Sequence, residues 1–326
     1  MEWRNQTTAP EFLLLGLTEH VELRSLLFVV FLVMYTMNLM GNGTMLSIIT
    51  SNSQLHTPMY FFLYNLSFVD MCFSSVTVPK LLSDLISDSK TISFSECIAQ
   101  LYFFIVFACS ECVLLSIMAY DRYVAVCKPL HYITIMNKKV CLSMSVLCWI
   151  ISFLHGLLHT LLARQLSFCK SNQIQHYFCD LAALLKLSCT DTFINELVIF
   201  AEASLLGMVP FFIILISYIR IITTILKIKS TERRWKTFST CSSHLTVVTF
   251  FYGTLFFMYM RPSSSYSLAK DKITSVVYNV LSPMFNPVIY SLRNRDVKRA
   301  VKRVLQRKES YSKRQTFSKE GLPARE

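Results

Sequence analysis

Long apolar runs, separated by short polar or basic connections, dominate the chain. Seven runs of at least 20 residues carry no more than one charged side chain each, and together they make up about half of the sequence. These runs, here called segments 1 to 7, cover residues 26–50, 58–79, 97–120, 140–163, 197–219, 237–260 and 273–292. A helix needs about 20 residues to cross a hydrocarbon layer of about 30 Å, whereas a strand of a membrane barrel has only about 10 residues of alternating polarity. The pattern predicts an all-α membrane protein with a seven-transmembrane helix bundle over residues 26–292.

The composition supports a membrane protein and excludes several other classes. Hydrophobic residues make up 53% of the chain and charged residues only 16%, against about 25% charged in soluble domains. A soluble enzyme, a secreted disulfide scaffold and a disordered chain are therefore excluded. Segment 1 is too long for the apolar part of a signal peptide and lacks a small-residue cleavage site, so we expect it to be retained as a helix.

The distribution of basic residues predicts the orientation of the chain in the plasma membrane. If the C-terminus is cytoplasmic, 22 of the 32 Lys and Arg residues lie on the cytoplasmic side, as the positive-inside rule requires. Residues 1–25 are then extracellular, and Asn5 is a glycosylation acceptor. Residues 293–308 are predicted to form an amphipathic helix on the inner leaflet, and 309–326 a disordered cytoplasmic tail. We interpret the net charge of +12 as contact with anionic lipid, not with nucleic acid.

Several polar side chains fall inside the apolar segments, where a charge is costly. Asn42, Asp70, Glu111, Ser282 and Asn286 could all point into the bundle and share waters or a cation. One hypothesis is a polar core that takes part in switching. The alternative is that these groups join helices by hydrogen bonds alone.

Two motifs lie at the predicted inner ends of segments 3 and 7. Asp121-Arg122-Tyr123 places a carboxylate beside a guanidinium, a pair that could hold in one state and release in another. Pro287 is expected to break segment 7 near its inner end, because proline removes one backbone hydrogen bond and crowds the preceding turn. Together they indicate moving parts at the cytoplasmic face.

Longer stretches resemble a known family. They are LHTPMYFFL (55–63), MAYDRYVAVC (118–127), SY (217–218), KTFSTCSSH (236–244) and PMFNPVIY (283–290). With these stretches the chain resembles rhodopsin-like G-protein-coupled receptors, and within them the tetrapod-type olfactory receptors. The resemblance implies a rhodopsin-like bundle that binds a small, mostly apolar volatile ligand and activates a heterotrimeric G protein of the olfactory stimulatory type. The alternative is a receptor of the same fold for a non-odorant metabolite, expressed outside the nose.

Other function classes lack their sequence signals. A membrane enzyme needs a nucleophile–base set or an H-E-x-x-H pair, and the sequence indicates neither. A channel or transporter would have internal repeats or many pore-facing charges. We therefore predict a receptor without catalytic activity or cofactor. The residues that the resemblance assigns to activation and G-protein contact are Asp121, Arg122, Tyr123, Tyr218, Asn286, Pro287 and Tyr290.

Four of the 11 cysteines are predicted to lie on the oxidising outer side, where disulfides persist. They are Cys97, Cys169, Cys179 and Cys189, and four cysteines allow three pairings. The resemblance implies the pairs Cys97–Cys179 and Cys169–Cys189, which would tie the second outer loop over the bundle as a lid. His159 and His176 could bind a metal near that lid, but we interpret them as ordinary loop or interfacial residues and predict no metal site.

The ligand pocket is expected in the outer half of the bundle, between segments 3, 5, 6 and 7. The predicted lining residues are Phe104, Ile105, Ala108, Cys109, Cys112, Glu202, Leu206, Tyr252, Leu255, Phe256, Tyr259, Val276 and Asn279. Phe104 takes the place of the ammonium-binding Asp of aminergic receptors, and segment 7 has no central Lys that could anchor retinal. Both features favour an uncharged ligand. For each polar lining residue the alternative is simple helix packing, and Glu202 is the strongest exception because a lipid-facing carboxylate is costly.

Overall fold

The computed structural model describes residues 11–18, 20–169, 171–259 and 268–293. The seven predicted membrane helices are α1 (Val21–Ser51), α2 (Pro58–Ile86), α3 (Phe94–Cys127), α5 (Lys138–Arg164), α7 (Phe193–Leu226), α8 (Thr231–Tyr259) and α9 (268–293). Two short helices, α4 (Tyr132–Ile135) and α6 (Leu181–Leu187), lie in the loops after α3 and α5. The helices α1, α2, α3, α5 and α7 are long and apolar enough to cross a membrane. Most of the amphipathic helix predicted over 293–308, the tail 309–326 and the acceptor Asn5 lie outside the described residues.

Each helix extends past its apolar run, because its polar ends continue the backbone hydrogen bonds beyond the hydrocarbon. The first helix, α1, begins at Val21, five residues before the apolar run that starts at residue 26. The start of α3 is fixed by a capping box, in which Ser93 and Glu96 each accept a hydrogen bond from the other's backbone amide. This cap sets the outermost turn of a helix that provides one wall of the cavity described below.

The central helix of the bundle is α3, which packs against α2, α5 and α7. A glycine brings α5 unusually close to it. A Cβ atom on Gly156 would lie 2.6 Å from Cγ2 of Val106 and 3.2 Å from the ring of Tyr102, well inside contact distance. Only a residue without a side chain fits here, so Gly156 sets the α3–α5 separation.

Two membrane helices contain π-helical turns, at Ala203–Met208 in α7 and at Val277–Leu281 in α9. Such turns insert an extra residue and change which side chains face inward. The break expected at Pro287 is absent, because the helix continues through it over Ser282–Arg293. The irregular part of α9 lies about two turns earlier, in the π-helical segment Val277–Leu281. The prediction of a break at Pro287 was therefore wrong.

A small three-stranded sheet covers the outer end of the bundle. Its strands are β1 (Glu11–Leu14), β2 (Thr91–Ser93) and β3 (Gln173–Ile174), in the order β2-β1-β3. β1 pairs antiparallel with β2 and parallel with β3. No sequence pattern predicted this sheet. It attaches the N-terminal segment to the loop between α5 and α7.

The two disulfides that the family resemblance implied are present. The Cα atoms of Cys97 and Cys179 are 5.4 Å apart, and those of Cys169 and Cys189 are 5.9 Å apart. Both separations suit a disulfide. The first bond attaches the loop to the outer end of α3, and the second closes the loop on itself, so the predicted lid is confirmed.

Candidate ligand pocket and polar contacts of the bundle

A cavity of about 480 Å³ lies under this lid, between α3, α5, α7, α8 and α9. Eleven of the predicted residues line it: Phe104, Ile105, Ala108, Cys109, Cys112, Glu202, Leu206, Tyr252, Leu255, Phe256 and Asn279. Those on α3 recur every three or four residues, so one face of a regular helix forms a whole wall. The volume is within the range of about 300–1,000 Å³ that small-molecule sites occupy.

The lining of α9 differs from the prediction by one position. Ser275, Tyr278 and Asn279 face the cavity, whereas Val276 packs beside the buried Val280 in a neighbouring apolar cluster. The prediction assumed uniform helical spacing, and the π-helical turn at Val277–Leu281 interrupts that spacing. Val276 as a lining residue was therefore wrong. The side chain of Tyr259 lies outside the described residues.

The lid provides part of the cavity wall that the sequence analysis did not identify. Phe178, next to the disulfide-bonded Cys179, packs against Phe104 with ring centroids 4.8 Å apart. Asp180 and Leu181 also line the cavity, and the Asp180 carboxylate accepts a hydrogen bond from the amide of Ala183. In the sequence, the indication that these residues lie near the cavity was their position beside Cys179, which was predicted to form a disulfide.

The lid is also fixed by buried polar contacts with α9. The Asn279 amide nitrogen donates to the phenolic oxygen of Tyr177 over 3.1 Å, and His176 Nε2 lies 3.3 Å from the Ser275 hydroxyl. Burial, assisted by the charge of Lys272, lowers the pKa of His176 to about 3, so this imidazole is neutral at pH 7. The loop thus rests on α9 through neutral hydrogen bonds.

Two polar groups in the cavity wall have distinct hydrogen-bonding states. The Cys112 thiol lies 3.3 Å from the Leu206 carbonyl and 3.2 Å from the Tyr252 hydroxyl. The thiol and the Tyr252 hydroxyl therefore already have hydrogen-bond partners within the protein. The Asn279 amide oxygen is buried and accepts no hydrogen bond from the described residues. Because this oxygen has no accessible surface, an N–H or O–H group of a ligand reaches it only when the Asn279 side chain turns towards the cavity.

Glu202 lies beside two histidines of α5 that the sequence analysis did not place in the pocket. His155 Nε2 is 2.8 Å from Glu202 Oε2 and 3.1 Å from His159 Nε2, and His159 Nε2 contacts the same carboxylate oxygen. All three residues line the cavity. The i,i+4 spacing of the histidines places them on one helix face, and this was the signal available in the sequence.

The predicted polar core is assembled deeper in the bundle. The Asn286 amide donates to both carboxylate oxygens of Asp70, at 3.1 and 3.0 Å, and Asn42 donates to the Pro283 carbonyl over 3.1 Å. Glu111 is completely buried, and neither of its carboxylate oxygens has a hydrogen-bond partner among the described residues. The Ser282 hydroxyl is also buried and has no hydrogen-bond partner among the described residues. The arrangement leaves both hypotheses, switching and simple helix joining, open.

At the inner end of α3 the predicted ion pair is not formed in this conformation. The Asp121 carboxylate accepts a hydrogen bond from the Tyr132 hydroxyl over 2.8 Å, and no ion pair within 4.0 Å joins it to Arg122 in the described part of the chain. Consecutive helical residues point about 100° apart, which separates the two side chains. In this conformation Asp121 is bound by Tyr132, and the two-state hypothesis for the Asp121–Arg122 pair stays a prediction. Tyr123, the third residue of the motif, packs against Tyr120 with ring centroids 6.1 Å apart.

Instead, a histidine joins three helices near the inner face. His244 of α8 donates from Nε2 to the Leu115 carbonyl of α3 over 3.1 Å, because a carbonyl can only accept. Its Nδ1 consequently accepts from the Tyr218 hydroxyl of α7, 2.7 Å away. The hydroxyl of Tyr290, in α9, is buried without a hydrogen bond to any described residue. We call His244, Tyr218 and the Leu115 carbonyl the inner contact.

The chain is similar to known receptors over nearly all of its length. The sequence profile of the family described as Olfactory receptor matches residues 31–308. Olfactory receptor 1E16 of Mus musculus is 52% identical over 304 residues, which cover 93% of this chain and 97% of that protein. Olfactory receptor 1496 of Rattus norvegicus is 52% identical over 92% of this chain and 97% of its own length. Olfactory receptor 1E1 of Pan troglodytes is 49% identical over 95% and 99% respectively.

These matches agree with a seven-helix bundle that encloses a small-molecule cavity under a disulfide-bonded loop, and the family consists of membrane receptors that bind odorants and couple to G proteins. The chain therefore belongs to the olfactory receptor family and is an odorant receptor.

Proposed function

We propose that this odorant receptor takes small, uncharged, mostly apolar volatile molecules in the cavity below the lid and signals through a stimulatory G protein and cyclic AMP. The observation that carries the proposal is the cavity of about 480 Å³ beside the lid, lined mainly by apolar side chains of α3, α7 and α8. Its acceptor at Asn279 favours ligands with one donor group, such as alcohols.

The cavity favours weak to moderate affinity. A ligand of volatile size that buries about 200 Å² of apolar surface gains about 5 kcal/mol from the hydrophobic effect. One hydrogen bond to Asn279 adds about 1 kcal/mol. A binding free energy of about −6 kcal/mol corresponds to a dissociation constant between roughly 1 μM and 1 mM. Such a ligand leaves quickly, which suits a sensor that must follow changing concentrations.

One helix joins the cavity to the cytoplasmic half. Tyr252 of α8 lines the cavity, and His244, which makes the inner contact, lies eight residues earlier on the same helix. Eight residues correspond to about 12 Å of helix. A ligand that prefers a shifted position of α8 at Tyr252 therefore weakens the inner contact and favours separation of the inner ends of α7 and α8. Arg122 then becomes available to the G protein, next to the basic residues 227–236.

The orientation follows from the same proposal. Residues 1–25 and the lid are extracellular, where the two disulfides are stable, and residues 293–308 lie on the cytoplasmic leaflet. Protease or antibody access to a tag placed before Asn5 in intact cells tests this. Access only after permeabilisation contradicts it.

A cavity-filling variant tests the ligand site. Ala108→Trp places a large ring in the cavity, and we expect it to abolish cyclic-AMP responses to all volatiles that activate the wild type while surface expression is kept. Leu147→Trp is the matched control, because Leu147 lies on the face of α5 that points away from the bundle and has 56% of its surface exposed. Unchanged responses in Ala108→Trp would contradict the proposed ligand site.

A second variant tests coupling separately. Arg122→Ala should keep ligand binding, measured by displacement of a bound fluorescent ligand, and lose cyclic-AMP signalling. Normal signalling from Arg122→Ala would refute the coupling role of Arg122.

A further inference from the structure

We propose that His155, His159 and Glu202 form a binding site for a divalent transition metal, with Zn²⁺ as the best match, in the wall of the ligand cavity. The first two residues are one turn apart on α5, and the third lies at the end of the α-helical first part of α7, directly before the π-helical turn. The proposal goes beyond odorant recognition and does not depend on which volatile the cavity takes.

The three donor atoms have the spacing of metal ligands. Zinc binds imidazole nitrogen and carboxylate oxygen at about 2.0–2.1 Å, so two ligands at the tetrahedral angle lie about 3.3 Å apart. The two Nε2 atoms are 3.1 Å apart, and His155 Nε2 is 2.8 Å from Glu202 Oε2. All donor atoms of the group lie within 4.8 Å of one another. To admit the ion, the Glu202 oxygen has to move away from the two nitrogens by about half an ångström or more.

Hydrogen bonding accounts poorly for this arrangement. Glu202 Oε2 is buried and close to both imidazoles, yet it has no partner in hydrogen-bond geometry among the described residues. The two Nε2 atoms share one hydrogen bond, which uses a single N–H group, while the carboxylate oxygen faces both nitrogens. A cation bound by all three atoms replaces that single hydrogen bond and compensates for the cost of placing a carboxylate in the membrane.

The ligand set also determines what the metal can do. Two imidazoles and one carboxylate suit Zn²⁺, and three protein ligands leave its fourth position open, as in sites where zinc binds a further molecule. All three side chains line the cavity, so the open position is accessible from it. Water or the donor atom of a ligand completes the coordination.

Metal binding to the purified full-length receptor tests the proposal directly. The probe is Zn²⁺ alone, followed by isothermal titration, with Co²⁺ as a spectroscopic substitute whose visible absorption reports tetrahedral coordination. We expect one ion per wild-type chain with this absorption. His159→Gln and Glu202→Gln should each weaken binding by at least about tenfold, the loss that follows removal of even an outer-shell contact.

Two further variants separate coordination from general structural effects. His131→Gln is the matched control, because His131 is exposed in the loop after α3, and it should bind Zn²⁺ like the wild type. Glu202→His provides another zinc ligand at the same position and should retain binding that Glu202→Gln loses. If the wild type binds no Zn²⁺, or if the affinity is equal in the wild type and Glu202→Gln, the proposal is overturned. Neither result affects the odorant assays above, so the two proposals fail independently.

Discussion

Removal of the inner contact should activate the receptor without a ligand. The variant His244→Phe keeps the aromatic ring that stacks on Tyr218, whose ring lies 5.8 Å away at an angle of 11°, but it removes both ring nitrogens. The remaining groups keep partners, because the Tyr218 hydroxyl lies 3.2 Å from the Cys241 carbonyl and the Leu115 carbonyl is inside a helix. Cys241 also belongs to α8, so the variant removes the hydrogen bond from α8 to α3 and leaves α7 and α8 joined through Tyr218 and Cys241.

The magnitude follows from the lost bond to Leu115. A buried hydrogen bond contributes about 0.5–1.5 kcal/mol, so its loss removes about that much from the state with the inner contact. Since about 1.4 kcal/mol corresponds to a factor of ten, this change shifts a two-state equilibrium by roughly 2- to 13-fold. Because the separated state is the one that we propose binds the G protein, its basal population should rise by this factor until it saturates.

Basal cyclic AMP, normalised to receptor at the cell surface, measures the effect in the absence of any volatile. His131→Phe is the control, since His131 is exposed and outside the inner contact. Basal signalling of His244→Phe at or below the wild-type level, at equal surface expression, would show that the inner contact does not hold the inactive arrangement.

Three other predictions concern packing, pH and ligand recognition. Gly156→Ala should destabilise the receptor in detergent by about 1–3 kcal/mol through overpacking against Val106, whereas Gly43→Ala, with no atom near its Cβ, should be neutral or stabilising; equal melting temperatures would contradict this. Because the pKa of His176 is about 3 when folded and 6.5 when unfolded, stability should fall by about 1.4 kcal/mol per unit as pH drops from 6.5 towards 3. Thermal unfolding of His176→Gln should show a smaller decrease over that range, and an identical decrease would refute the assignment. Asn279→Leu should weaken responses to volatile alcohols about tenfold relative to matched alkanes in concentration–response assays, and an equal loss for both classes would argue against a hydrogen bond to the amide oxygen.

Part of the pocket could be predicted from sequence because α3 is a regular helix along it. Phe104, Ala108 and Cys112 recur at helical spacing, and all of them line the cavity. On α9 the same reasoning chose Val276, because a local pattern does not reveal that a π-helical turn changes the register. Regular spacing therefore predicts a lining only where the backbone is regular.

The pair of histidines on α5 shows a second limit of prediction from the sequence. His155 and His159 could be placed on one face of a helix from their spacing, but a histidine pair alone says nothing about its surroundings. Glu202 meets them only because α5 and α7 pack side by side, more than 40 residues apart in sequence. The inner contact has the same origin, since His244 meets Tyr218 and Leu115 through contacts between three helices.

The sequence by itself determined the membrane class, the seven spans, the family and one wall of the pocket, because apolar length, helical spacing and short motifs are local properties of the chain. Only the tertiary structure decided the position of the lid sheet, the partner of Asp121, the inward face of α9 and the meeting of two histidines with a carboxylate. Each of these depends on contacts between residues distant in sequence or on a change in helical register, and neither leaves a pattern within a single segment.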